Sequence, residues 1–102
     1  MITWASDLYV SESAKDREKK IITGIRRHKL QIEVYVIALS ANGRDLLDLI
    51  PSYMLSENSY KGRDIRVLGL AVGKEDAKEL AASMIMDVYE QTGGFDVRGH
   101  FS

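Results

Sequence analysis

Residues able to do chemistry are few in this chain and lie far apart. Ser40, Asn42 and Gly43 follow one apolar run, and Gly73 and Lys74 follow another. Hydroxyls, a carboxamide, an ammonium group and the free N–H groups of a helix start can hold a phosphate or carboxylate. They do so where parallel strands bring their C-terminal ends to one edge. Ser11 and Ser13 would stand on the same edge. The same residue types cap helices and permit turns in almost every such fold, and capping is the preferred account of them. The run from Gly69 to Lys74 has three residues between its glycines and Glu75 after the lysine. A phosphate-binding loop has four, then a hydroxyl residue, so no nucleotide loop is read there, and no G-x-G-x-x-G motif occurs elsewhere.

Catalytic constellations are equally thin. His28 and His100 have no metal-ligand spacing, and each reads as a surface histidine. Asp45 and Asp48 fall on the polar side of an expected helix, where solvated carboxylates are the ordinary case. Cysteine is absent, which removes disulfides, thiolate metal sites and a thiol nucleophile. No serine, histidine and aspartate set has a local signature. The expectation is a non-enzymatic protein with no cofactor and no metal.

Charge is more informative in its distribution than in its sum. The chain has 14 Lys and Arg against 15 Asp and Glu, a net −1. Seven basic residues against two acidic ones nevertheless give +5 over residues 15 to 29, leaving −6 for the rest. On a helix, Lys15, Lys19 and Arg26 form a stripe beside Lys20 and Arg27, opposite Ile21, Ile22 and Ile25. Such a face suits an acidic protein partner or phosphates. A solvated helix face is its ordinary alternative. No aromatic residues interleave with these charges and acidic residues dominate elsewhere, so nucleic-acid binding through this helix is the weakest functional reading.

These residues require elements to position them. Ala14, Ile21, Ile22 and Ile25 recur at helical steps, with Ser13 and Asp16 resembling a capping box, which predicts a helix over 14–28. Leu8, Tyr9 and Val10 suggest a short strand before it. Alternation from Leu30 to Leu39 predicts a second strand. Asn42 then offers an N-cap to Leu46, Leu47, Leu49, Ile50, Tyr53 and Met54 on one helical face, kinked or restarted at Pro51. Ile65 to Val72 reads as a central strand, Lys74 to Gln91 as the longest helix, and Phe95 to Phe101 as a terminal edge strand. The order is βαβαβαβ, an α/β layer fold with a three- or four-stranded, mainly parallel sheet in a single domain over 1–102. The alternative is an α+β ferredoxin-like order, βαββαβ, with a helical insertion between the second and third strands.

The longest helix has a second side. Ala82, Met86 and Tyr89 lie away from the Leu80, Ala81, Met84 and Val88 stripe, at a spacing suited to packing by another helix. A homodimer through the 74–91 helix is the sharpest expectation of the sequence. A small self-associating interaction or regulatory module is accordingly the first functional reading. A binder of phosphate, nucleotide or carboxylate at the strand edge, or an enzyme using that edge, is the second. The N-terminus shows no basic leader followed by an apolar stretch, and no run approaches the roughly 20 residues of a membrane helix. Cytoplasmic residence without a membrane association is expected.

Overall fold

A computed structural model describes residues 2–40, 46–56 and 62–101. Its centre is the segment from Ile65 to Val72, in which Arg66 is the only charged residue. This segment is β4, after β1 (Ile2–Val10), β2 (Val34–Leu39) and β3 (Leu47–Pro51). The strands lie side by side in the order β1-β4-β2-β3. β1 runs parallel to β4, whereas β2 is antiparallel to both β4 and β3. Three helices accompany the described strands: α1 (Glu18–Arg26), α2 (Lys74–Thr92) and α3 (Val97–Phe101). The result is a mixed four-stranded sheet with helices, an α+β arrangement.

The two longer helices lie on opposite faces of the sheet. Ile21 and Ile25 of α1 share a core with Val36, Ala38, Ile50, Val67 and Leu70. Ala81 and Met84 of α2 share another with Ile37 and Leu68. Because successive side chains of a strand point to opposite faces, Ile37 between Val36 and Ala38 fixes the two helices on different sides. Full burial of one such aliphatic side chain is worth about 1.5–3 kcal/mol, so both faces contribute to stability.

β4 breaks the alternation once. Ile37 stands opposite Gly69 and Ala38 opposite Val67, leaving Leu68 as an extra residue. This bulge returns Leu70, three residues after Val67, to the α1 side, while Leu68 lies on the α2 side. β1 has a longer irregularity, since Trp4 pairs with Val67 and Tyr9 with Gly69.

Several expectations require correction. The sheet is not mainly parallel, and the element order is neither βαβαβαβ nor βαββαβ, because the segment expected to form a crossover or inserted helix supplies β3 instead. Leu47 to Pro51 pairs antiparallel with β2, with Tyr35 opposite Pro51 and Leu39 opposite Leu47, and a 3₁₀ turn over Ser52–Ser56 follows. Apolar residues at 46, 47, 49 and 50 satisfy either period, and the free edge of β2 decides for a strand. Proline is tolerated because β3 is an edge. The proposed cap Asn42 and Asp45 lie outside the described residues.

β2 starts at Val34 rather than Leu30, since His28 (φ 56°) and Glu33 (φ 72°) are left-handed and the chain between them is not extended. The first helix is shorter than 14–28 and follows a 3₁₀ turn over Lys15–Arg17. Phe95 to Phe101 is not a strand but ends in α3, whose start is held by Asp96 accepting the Gly99 N–H at 3.0 Å. α2 ends as its glycines suggest, with Gly93 at φ 76° and its N–H donating to the Tyr89 carbonyl at 2.7 Å.

α2 and α3 meet β1 at Tyr9. The Tyr9 hydroxyl donates to Asp87 Oδ2 at 2.8 Å, and the Phe101 ring meets the Tyr9 ring nearly perpendicularly, with centroids 5.9 Å apart. Burial first, then the hydrogen bond and negative charge of Asp87, push the Tyr9 hydroxyl up from 10.0 to about 12. The folded chain thus holds the proton more tightly than the unfolded chain does. This contribution to stability is complete below pH 10 and is lost as pH rises towards 12. Urea midpoints measured from pH 9 to 12 should fall less steeply for Tyr9→Phe than for the parent. Parallel curves would show that Tyr9 does not titrate with unfolding.

Candidate functional site

The sequence gathers Ser40, Asn42, Gly43, Gly73 and Lys74 at one strand-end edge, and the sheet puts Ser40 at the other end from Gly73 and Lys74. β2 is antiparallel to β4, with Val34 opposite Val72 and Ala38 opposite Val67. Ser40, just past the end of β2, therefore lies at the opposite edge from Gly73. Ser40 is buried, and its carbonyl accepts a hydrogen bond from the Arg98 guanidinium. Asn42 and Gly43 lie outside the described residues.

The true shared edge is formed by the parallel pair β1 and β4, which are followed by helices on opposite faces. Open sheets bind ligands in such a crevice, but here protein groups fill it. The Ser11 N–H donates to the Leu70 carbonyl at 3.0 Å, and the Ser13 hydroxyl donates to the Val72 carbonyl at 3.0 Å. That hydroxyl also accepts from the Val72 N–H at 3.3 Å and lies 2.7 Å from the Ser11 hydroxyl. Ser13 therefore stitches β1 to β4 rather than capping α1, which has no side-chain cap. Gly73 holds φ 93°, and its N–H donates to the Glu33 carbonyl at 2.7 Å. Lys74 is exposed, but Glu75 and Asp76 complete the first turn of α2 and oppose an incoming anion.

The basic stripe is redistributed. Lys15 precedes α1, and its ammonium bonds Glu12 at 2.8 Å, which raises the lysine pKa. The Arg26 guanidinium lies over the Trp4 ring, 5.9 Å from its centroid, a cation–π distance. Arg27 is exposed at the C-cap. Lys19 and Lys20 instead line an open groove of about 570 Å³ with Arg17, Lys29, Thr23 and Gln31. The Gln31 amide donates to the Ile21 carbonyl at 3.1 Å and lies against Gly24, where a Cβ would collide with it. Gly24 thus lets the loop after α1 form one wall of the groove. Beside it, Leu30 and Tyr53 line a cavity of about 200 Å³ with Ile25 and Leu55.

The sequence places Leu30 and Ile32 on the apolar side of a strand, and so does not mark them as surface residues. Leu30 and Ile32 are instead 71% and 75% exposed.

The outer side of α2 is arranged as its spacing implies. Ala77, Ala81, Met84 and Val88 are buried, whereas Ala82, Met86 and Tyr89 are exposed. Tyr89 stacks on Phe95 with centroids 5.0 Å apart, so an aromatic that the sequence assigns to a strand extends this patch. Among the described residues, no three His, Cys, Asp or Glu side chains gather as metal ligands, and no buried side-chain polar atom lacks a partner. No helix among them is long and apolar enough to cross a membrane. The chain matches no protein-family model, and comparison with curated proteins and with solved structures finds no match.

Proposed function

We propose that this protein is a small non-enzymatic interaction module that associates with itself through the outer face of α2. The observation that carries this reading is the exposure of Met86 and Tyr89, at 49% and 44%, on a helix whose opposite stripe is buried, with Phe95, 53% exposed, just past its end. Single exposed apolar residues are ordinary, but adjacent ones with stacked rings form a patch that gains from being covered. Met86 suits such a contact because its unbranched thioether adapts to the surface it meets. The patch is small, and association must first offset the loss of translational and rotational freedom, so dissociation constants on the order of micromolar are expected. A reducing cytoplasm is the compartment that best suits a cysteine-free chain of this kind.

Sedimentation equilibrium tests the reading. The parent chain should associate with rising concentration, and Met86→Lys should weaken association by about tenfold or more, since burying an unpaired charge costs over about 1.4 kcal/mol. A parent chain that stays monomeric at high micromolar concentration would overturn the reading.

A further inference from the structure

We infer that the surface receiving α2 is the basic groove beside α1 of a second copy, so that association runs head to tail. This rests on the self-association proposed above and adds its geometry. Large exposed apolar side chains occur on both sides of the sheet. Leu30 lines the groove and the exposed Ile32 follows its wall residue Gln31 in the chain, whereas Met86, Tyr89 and Phe95 lie on the α2 side. Each patch carries charge of its own sign. The groove holds Arg17, Lys19, Lys20 and Lys29, none with an ion-pair partner among the described residues. α2 has five acidic residues against two lysines, and one lysine, Lys78, lies 3.6 Å from Glu75.

Position along the helix sharpens the match. At 100° per residue, Glu79, Met86 and Glu90 fall within about 40° of one another, so two carboxylates flank the exposed methionine on one stripe. Glu79 and Glu90 are exposed, and neither has an ion-pair partner among the described residues. A symmetric pairing of α2 with α2 would set these carboxylates against an identical acidic stripe. Pairing with the groove sets carboxylates against ammonium groups and Met86 against Leu30. Such a contact joins two different surfaces and leaves one of each free on every dimer, so further copies can add unless a ring closes.

Two surface variants separate the arrangements. Met86→Lys disables the α2 side by setting a cation against the basic groove and keeps its own groove, whereas Lys19→Glu combined with Leu30→Glu disables the groove and keeps α2. In sedimentation velocity, each alone should be monomeric, and their equimolar mixture should form a 1:1 dimer that does not grow. Raising salt from about 0.05 to 0.5 M should weaken that dimer several-fold, since the contact is between exposed charges. A parent that associates while the mixture stays monomeric overturns the head-to-tail geometry. So does a groove variant that still dimerises alone, which would assign the contact to α2 against α2 and leave self-association standing. A monomeric parent overturns both. Circular dichroism confirms folding of each variant, and Lys20→Glu with Lys29→Glu replaces the groove pair if that pair unfolds.

Discussion

Leu70→Ala is expected to lower the unfolding free energy by about 2–5 kcal/mol, the range for removing a fully buried leucine from a packed core. Leu70 has no exposed surface and lies in β4, paired with Val10 on one side and Val36 on the other. Its side chain belongs to the core beneath Ile21 and Ile25 of α1. Removing it opens a void that the sheet cannot close without moving two neighbouring strands. The urea midpoint should drop with the slope unchanged, because the surface exposed on unfolding is nearly the same. Leu30→Ala supplies the contrast. That leucine is 71% exposed, so its loss should change stability by no more than about 0.5 kcal/mol. Equal effects at the two positions would contradict the placement of the loop after α1.

Gly69→Val should cost about 1–3 kcal/mol, although valine ordinarily favours a strand. Gly69 faces Tyr9 in β1 and Ile37 in β2, beside the bulge at Leu68. A Cβ there would lie 3.1 Å from the Tyr9 carbonyl oxygen and 3.4 Å from both Tyr9 Cβ and Leu80 Cδ2. The first contact is with backbone, which yields little, and the two further methyl groups of valine need more room still. The steric penalty therefore outweighs the propensity gain. Displacing Tyr9 would also strain its bond to Asp87, so the loss of stability between pH 10 and 12 should become shallower in this variant. Thermal unfolding over that pH range reads both effects. A variant as stable as the parent would show that β1 does not approach β4 this closely.

β4 and α2 are legible from the residues, β4 by an almost unbroken apolar run and α2 by a helical period kept over its length. Ile65 to Val72 is apolar enough to need cover on both faces, and Lys74 to Thr92 begins after one glycine and stops at another. β3 was not legible, since five residues with leucines at 47 and 49 and isoleucine at 50 fit a helical stripe as well as an edge strand. Pro51 held the useful hint, as a helix interior excludes it and a strand at the sheet margin does not. β1 hid its length because the irregularity between Trp4 and Tyr9 removes the alternation that would have marked it.

The candidate surfaces divide in the same way. Ala82, Met86 and Tyr89 were readable from helical spacing, because a regular element projects its faces directly from sequence. The groove was readable only in its charges. Its wall depends on left-handed backbone at His28 and Glu33, a conformation that the charge pattern does not register. Ser13 looked like a helix cap, and only the strand pairing reveals that its hydroxyl joins β1 to β4.

The two margins of the sheet have a consequence for how copies can meet. One margin, β1, is interrupted between Trp4 and Tyr9, and the other, β3, is five residues long and ends on a proline without an N–H. Neither offers the long, straight row of unpaired amides along which a foreign strand could zip. Both borders thus disfavour edge-to-edge pairing among the described strands, which steers crowded copies away from cross-strand aggregates and towards contacts that can come apart again.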